Sequence, residues 1–482
     1  MPKKYPEFNP RVLTNRSDAP NLKDSNPAVE KVVASFSRIG TSGSYLAARD
    51  GGQIRGLRYT ASVLNKLGIQ NHFQGVQRLH AGNYMVVSGG DPHEPMAHLF
   101  VFKMGSRRRH GSWNSNIITG ESPPAQDKLV RTVSIDRKRW HAGGLSVLGD
   151  ILAVPIYSKE PDDCKIVFYH MADPENPELF DVTIDRPGVR AGAVAMTKLP
   201  GGRFLVAVWS DSDHLERRLD FYLSKSTDIF EGFEPRALTW PASEARARNG
   251  RPTRFENYQT VNLINQADGR LYVVGLHNTS DKAPTLKGKD YADLWEIKFP
   301  EQSILQDRPV LSKPRVVKMR KLRFDDTGQQ SNMDGAAGVH IDRDGTLNIY
   351  ATYHWRSDGL LNFVEYKEKP PVSRRPITVV NEAWIDMYEH DDFSGKSMSL
   401  QGRRHTDLRD YKRINVAGED FGDTISSVRF QLPQGKTYRL FEHSNFRGKH
   451  LDLRGTGKVI EINDFDQFNF DNKVSSSQFL DA

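Results

Sequence analysis

The stretch ENYQTVNLINQADGRLYVVGLHN, residues 256–278, reads as a short strand, a tight ADG turn and a second apolar strand. The pattern returns in NHFQGVQRLHAGNYMVVSGG (71–90), WHAGGLSVLGDILAVPIYS (140–158), VRAGAVAMTKLPGGRFLVAVWS (189–210) and MDGAAGVHIDRDGTLNIYATYHW (333–355). A third strand follows each hairpin: AHLFVFKM (97–104), KIVFYHM (165–171), RLDFYLSK (218–225), DLWEIKF (293–299) and LLNFVEYK (360–367). Four units add an edge-like strand, at 128–136, 179–185, 234–241 and 315–324. The last unit lacks one, and RGLRYTASVL (55–64) is expected to supply it. Helical periodicity is scarce, so the fold class is all-β.

Four antiparallel strands repeated five times is the arithmetic of a β-propeller, whose blades bury their faces only by stacking around an axis. Residues 29–380 resemble a five-bladed propeller in architecture, without a family signature such as a WD dipeptide. Two stacked β-sandwiches remain the alternative. The polar stretch 1–28 is expected to be a disordered tail. It lacks the apolar core of a conventional secretory signal, and export by another route stays open. No run of eighteen apolar residues predicts a membrane span.

Cys164 is the only cysteine, which excludes intrachain disulfides and thiolate metal clusters. The net charge of +7 is uneven, since residues 384–482 carry 14 Lys and Arg against 16 Asp and Glu. The basic clusters SRRRHGSW (106–113) and RARNGRPTR (246–254) read as exposed loops, and no reader motif accompanies them. Nucleic acid is therefore not an expected partner. A monomer is expected.

In a propeller the first strand of each blade lines the central channel, so the leading residues of all five meet at one mouth. Aligning them makes His72, His141, Arg190, Asn257 and Gly335 equivalent, preceded by Asn71, Trp140, Val189, Glu256 and Asp334. Two residues further on stand Gln74, Gly143, Gly192, Gln259 and Ala337. Convergent polar groups in a rigid frame suit a small ligand. Under a catalytic reading Glu256 and Asp334 form an acid–base pair, with His72 or His141 in proton transfer. Under a recognition reading Asn71, Gln74, Trp140, Arg190, Asn257 and Gln259 bind the ligand. The bland reading is that these polar groups only bond neighbouring backbone. Common catalytic and nucleotide-binding motifs, HExxH, GxSxG and GxGxxG among them, are absent, and IDRDG (341–345) lacks the twelfth-position glutamate of a calcium loop.

The last hundred residues repeat themselves. WIDMYEHDDFSGKSMSL (384–400) is echoed by YRLFEHSNFRGKHLDL (438–453), and GDTISSVRF (422–430) by DNKVSSSQF (471–479). Two units of about fifty residues, each of four short strands, predict two Greek keys in a small sandwich. Residues 384–482 closely resemble the βγ-crystallin family, whose aromatic–Glu–x–x–x–Phe–x–Gly hairpin stands at Tyr388–Gly395 and Phe441–Gly448. In microbial members calcium is bound through the pattern Asp/Asn-Asp/Asn-x-x-Ser/Thr-Ser. Asp471-Asn472-Lys473-Val474-Ser475-Ser476 fits throughout, whereas Gly422 replaces one oxygen in the copy holding Asp423 and Ser426. The resemblance implies a cation site using Asp471 or Asn472, the Ser475 hydroxyl and a carbonyl near Glu389 or Glu442. Calcium is thus the expected cofactor, and the complete second copy is the better expected site.

Three functions stay open on the sequence. The first is recognition of a small polar ligand or glycan at the propeller mouth, with the crystallin-like domain as a calcium-binding accessory. The second is a hydrolase, of glycosidase or calcium-dependent phosphoesterase type, with one active site there. The third is exported cargo.

Overall fold

The computed structural model describes residues 8–49, 72–91, 96–105, 108–109, 112–113, 127–158, 163–210, 217–279, 289–300, 313–324, 333, 335–352, 360–369, 383–391, 393–401, 407–408, 415–416, 419–420 and 422–480. The chain divides into two compact units, Met1–Glu368 and Lys369–Ala482. Among the described residues no helix is long and apolar enough to cross a membrane.

The first unit is a five-bladed propeller. Blade 1 comprises His72–Arg78, Tyr84–Asp91, Met96–Lys103 and Lys128–Ser134. Blade 2 begins with an inner strand broken into His141–Ala142 and Ser146–Leu148, then Ile151–Ser158, Asp163–His170 and Glu178–Pro187. Blade 3 is Ala193–Lys198, Phe204–Ser210, Arg218–Leu223 and Leu238–Pro241. Blade 4 is Thr260–Asn265, Leu271–Asn278, Asp290–Lys298 and Arg315–Arg323. Blade 5 is Ala336–Ile341, Leu347–Thr352, Leu360–Lys367 and, from the other end of the chain, Ser44–Arg49.

Residues 44–49 pair antiparallel with 360–365, which corrects the expected closing strand at 55–64, a segment outside the described residues. SYLAAR supplies the closing strand with Leu46, Ala47 and Ala48 buried in succession.

Second strands such as Ile151–Ser158 and Leu347–Thr352 are buried along their whole length. Both faces of a blade are covered by neighbours, so a continuous apolar run replaces polar alternation. The core is accordingly split into five inter-blade clusters. Trp209, Trp240 and Trp295 meet between blades 3 and 4, and Phe73, Phe100 and Phe363 between blades 1 and 5. The other three clusters fill the remaining gaps and complete the ring.

The expected disordered tail is a second correction. From residue 8 onward the segment is ordered, and Leu13, Leu22 and Val29 are almost wholly buried. Val12–Leu13 adds a parallel strand to the outside of blade 2. Lys23 and Asn26 then bond the blade 2 turn at Gly149 and Asp150, and Asn26 Oδ1 lies 3.0 Å from His80 Nε2 of blade 1. Asp24 bridges to Lys198 of blade 3 at 3.0 Å. Val29 exchanges backbone bonds with Asn265 and Ala267 of blade 4, and Ala28 lies against Gly345 of blade 5. A polar, Pro- and Asn-rich sequence that looks disordered thus laces across the far ends of all five inner strands. Its side-chain amides and main chain satisfy the turns there.

The second unit holds two four-stranded sheets that share a core around Met387, Val428, Tyr438 and Leu440. One consists of Ser394–Gln401, Trp384–His390, Ser427–Gln431 and Val459–Ile462. The other consists of Asp407–Leu408, Ser476–Leu480, Thr437–His443 and Arg447–Arg454. The expected sandwich of two Greek keys is present, and each repeat lends one strand to its partner's sheet. In the second hairpin Gly448 has φ +84°, and a Cβ there would stand 2.8 Å from the His443 ring, so glycine is required.

Candidate functional site

The five inner strands are joined in sequence around the axis. Gln77 Nε2 donates to Leu145 O at 2.9 Å, joining blades 1 and 2, and Val194 N donates to Gly144 O at 3.0 Å, joining blades 2 and 3. Asn265 Nδ2 donates to Lys198 O at 2.7 Å and Val339 N to Asn262 Oδ1 at 3.1 Å, which brings in blades 4 and 5. Ala337 pairs with Gly75 to close the circle.

Just inside the mouth the strands converge on small residues. A Cβ on Gly144 would stand 2.4 Å from Gln259 O, 2.9 Å from Ala193 Cβ and 3.1 Å from Thr260 Oγ1. Gly75, Gly144, Ala193, Thr260 and Gly338 are the third residues after the aligned set His72, His141, Arg190, Asn257 and Gly335. The sequence reading passed over this aligned position.

Above the waist, blades 2 and 3 build an aromatic and cationic cluster. His141 is buried, its ring centroid 4.3 Å from that of Tyr157 and its Nε2 3.5 Å from Tyr157 Oη. The Arg190 guanidinium lies 5.8 Å from the centre of the same Tyr157 ring. Trp140 meets His141 edge-on at 5.4 Å and packs against Gly90 of blade 1. Tyr157 therefore links two of the aligned residues, and sequence reasoning missed it. Its signal was an aromatic at the end of a second strand, PIYS, where the chain returns to the mouth.

The other aligned residues fall out unevenly. Glu256 is ion-paired to Arg254 at 2.8 Å, Asn257 is half-buried, and the Gln259 carbonyl sits at the waist. Gln74 is buried, and His72 starts the inner strand of blade 1 opposite Gly90. Asn71 and Asp334 lie outside the described residues.

Deeper polar ties serve the frame. In blade 4 the Asp293 carboxylate accepts from Tyr258 at 2.8 Å, faces His277 at 3.4 Å and pairs with Lys318 at 2.9 Å. Burial pushes this carboxyl up, but His277 and Lys318 hold it below the usual range. Arg186 of blade 2 reaches Asp220 of blade 3, and Tyr222 Oη at 2.9 Å. Asp220 and Asp293 occupy matching positions in their third strands, opposite Val208 and Gly275.

In the crystallin-like unit the two serine motifs face each other as near-equivalents. Asp423 N donates to Val474 O at 3.0 Å and Asn472 N to Ile425 O at 3.1 Å. Asp423 and Asn472 both adopt left-handed backbone, with φ 55° and 52°. The oxygens of the two motifs hydrogen-bond across the pair. Ser475 Oγ bonds Asp423 Oδ1, while Ser426 Oγ bonds Asn472 Oδ1 at 3.2 Å and Glu389 O at 2.8 Å. The Glu389 and Glu442 carboxylates are held by Lys396 N and Lys449 N of their own hairpins. The second serine of each motif ties its own hairpin: Ser427 Oγ donates to His390 O and Ser476 Oγ to His443 O, both at 2.6 Å. Hydroxyl, carboxylate, amide and carbonyl oxygens form a hard donor set that fits calcium. Among the described residues no group of three or more His, Cys, Asp or Glu forms a metal cluster.

The chain thus joins a propeller-like part to a βγ-crystallin-like domain. No protein-family model and no curated protein matches it. Among solved structures, a βγ-crystallin domain from Flavobacterium johnsoniae is 23% identical over 20% of this chain and 92% of its own, with TM-score 0.16. A βγ-crystallin domain from Clostridium beijerinckii is 20% identical over 20% of this chain and 94% of its own, also with TM-score 0.16. The GH43_1 enzyme from Xanthomonas citri, complexed with xylose, is 10% identical over 70% of this chain and 92% of its own, with TM-score 0.35.

Proposed function

We propose that this protein is a recognition protein whose propeller mouth binds a small polar ligand or glycan end, with a calcium-binding crystallin-like accessory domain. The observation that carries the reading is the gathering of His141 and Arg190 on Tyr157, with Trp140 edge-on to His141. Aromatic faces take the apolar side of a sugar ring, while the guanidinium and amides take its hydroxyl or acidic groups. The lacing of residues 22–29 over the opposite face supports a pocket approached from one side. Carboxylate-pair catalysis draws less support, because Glu256 is engaged in an ion pair with Arg254 at 2.8 Å. In the other unit, the cross-paired oxygens of Ser426 with Asn472 and Ser475 with Asp423 would hold calcium. The ion would supply charge and rigidity to the junction of the two Greek keys.

The test is a glycan array probed with the full chain, beside Arg190→Ala and Tyr157→Ala variants of unchanged melting temperature. Specific signals that both variants lose are expected. A blank array, or signals that both variants keep, would overturn the reading. Release of cleaved products from any bound glycan would turn it toward the hydrolase.

A further inference from the structure

We infer that the outer edge of blade 4 is a docking surface for a linear acidic polysaccharide, one that carries sulfates or uronate carboxylates along its chain. The edge is the strand of its blade farthest from the axis, so this surface is separate from the mouth and does not depend on what binds there.

Two runs far apart in sequence meet at this edge. Arg246–Ala247 pairs in parallel with Val317 and Lys318 of the outer strand Arg315–Arg323. This brings RARNGRPTR (246–254) beside KPRVVKMRKLR (313–323), and together they carry ten Lys and Arg and no Asp or Glu. Residues 1–383 as a whole carry 53 Lys and Arg against 44 Asp and Glu, so their basic excess resides in these two runs. The turn between Ala247 and Gly250 folds back toward the strand, since a Cβ on Gly250 would stand 4.0 Å from Arg315 Nη2. Along the strand Val316, Val317 and Leu322 are buried, whereas Arg315, Lys321 and Arg323 are exposed. These exposed cations are spread over about 26 Å, at about 3.3 Å per residue. Lys313, Lys318 and Arg254 have acid partners in Glu244, Asp293 and Glu256. The cations that would meet the ligand are Arg251, Arg315, Lys321 and Arg323.

A charged strand edge also blocks edge-to-edge aggregation, and charges of either sign do that. The outer strand of blade 2 exposes Asp181 and Asp185 instead. A single sign assembled from two separate segments goes further than edge protection requires, and it complements a polyanion. Trp295 is buried and Lys321 lies 4.0 Å over the Tyr291 ring, so neither ring is presented for stacking on bases. The edge is built of strand and turn, not of a helix that could enter a groove. Among the described residues the exposed large hydrophobics are Val12 and Phe468, neither in blade 4, so no apolar anchor accompanies the charge into a membrane. A polysaccharide needs neither feature. Its sulfates or carboxylates, repeated along an extended chain, meet guanidinium and ammonium groups repeated along an extended strand.

Calorimetric titration of the full chain with dextran sulfate and with polygalacturonate tests this, at about 0.1 M salt, where exposed charges act over about 10 Å. Binding of at least one is expected, and it should weaken at least about tenfold near 1 M salt. The variant with Arg251→Gln, Arg315→Gln, Lys321→Gln and Arg323→Gln should lose at least about tenfold in Kd. If it proves unstable, Arg251→Gln with Arg315→Gln should lose at least about threefold. A control that removes the same charge at exposed Lys225, Arg447, Lys449 and Lys458, each changed to Gln, should stay within about twofold of wild type, as should Tyr157→Ala. Equal loss in the control would reduce the effect to net charge, and equal loss in Tyr157→Ala would move it to the mouth; either result overturns the assignment. It is also overturned if neither polysaccharide binds, or if a DNA duplex or phosphatidylserine vesicles bind more tightly than both.

Discussion

Replacing Leu13 and Leu22 with alanine separates an ordered N-terminal segment from a disordered tail. Leu13 is fully buried and Leu22 is 5% exposed, both in the cluster between blades 2 and 3 with Phe168, Phe180 and Phe204. Each substitution removes buried methyl groups and leaves a cavity, at a cost of about 2–5 kcal/mol. The sites are nine residues apart and pack in one cluster, so the pair is expected to cost about 4–9 kcal/mol with some coupling. Unfolding entropy of about 2.1 cal/mol/K per residue over the unit ending at Glu368 makes 1 kcal/mol worth about 1.3 °C. The propeller transition should therefore fall by about 5–12 °C in differential scanning calorimetry, while the crystallin-like transition stays where it is. A propeller transition unmoved by the double substitution would refute the lacing of this segment across the blades.

Three further outcomes follow from individual contacts. Tyr157→Phe should bind an array-selected ligand within about threefold of wild type, and Tyr157→Ala should lose at least about tenfold, since the ring face carries His141 and Arg190; equal loss in both, by calorimetric titration, would shift the role to the hydroxyl. Burial and the neighbouring Arg137 push His98 down to about 3, and burial with His340, against the opposing pull of Asp342, does the same for His80. Both rings are held neutral in the fold, so their contribution is complete above about pH 6.5 and is lost as pH falls toward 3, on the order of a few kcal/mol in all. The propeller melting temperature should drop across that window, and His98→Gln should flatten part of the drop. Ser427→Ala or Ser476→Ala should destabilise the crystallin-like unit by about 1–2 kcal/mol through the lost hairpin tie, with calcium titration unchanged; an unchanged melting temperature would contradict that division between the two serines.

How much was legible depended on whether a feature was periodic. Four-strand units and turns such as PGG and ADG repeat once per blade, so alignment within one chain exposed them, whereas the small residues from Gly75 to Gly338 stand at an aligned position that the sequence reading passed over. Tyr157 was hidden because its place at the mouth follows from the path of a second strand, not from the aligned first strands. The segment 8–29 was hidden because its bonds use backbone groups and single amides such as Asn26, and these leave no hydrophobic pattern. The doubled serines were visible, yet the exchange of Asp423 and Asn472 between copies was not. That exchange depends on two loops meeting 49 residues apart in left-handed backbone.

The ring itself is tested most directly by a disulfide across its closure. Ala47 of the N-terminal strand stands opposite Asn362 of the last blade. Opposed antiparallel residues lie about 4.5–5.5 Å apart at Cα, within the range a disulfide spans. In a Cys164→Ser background, Ala47→Cys with Asn362→Cys should oxidise to an intramolecular bond, seen as a linked 47/362 peptide in non-reducing mass spectrometry, and raise the propeller melting temperature. Two free thiols in the folded, oxidant-treated chain would contradict closure of the five blades by residues 44–49.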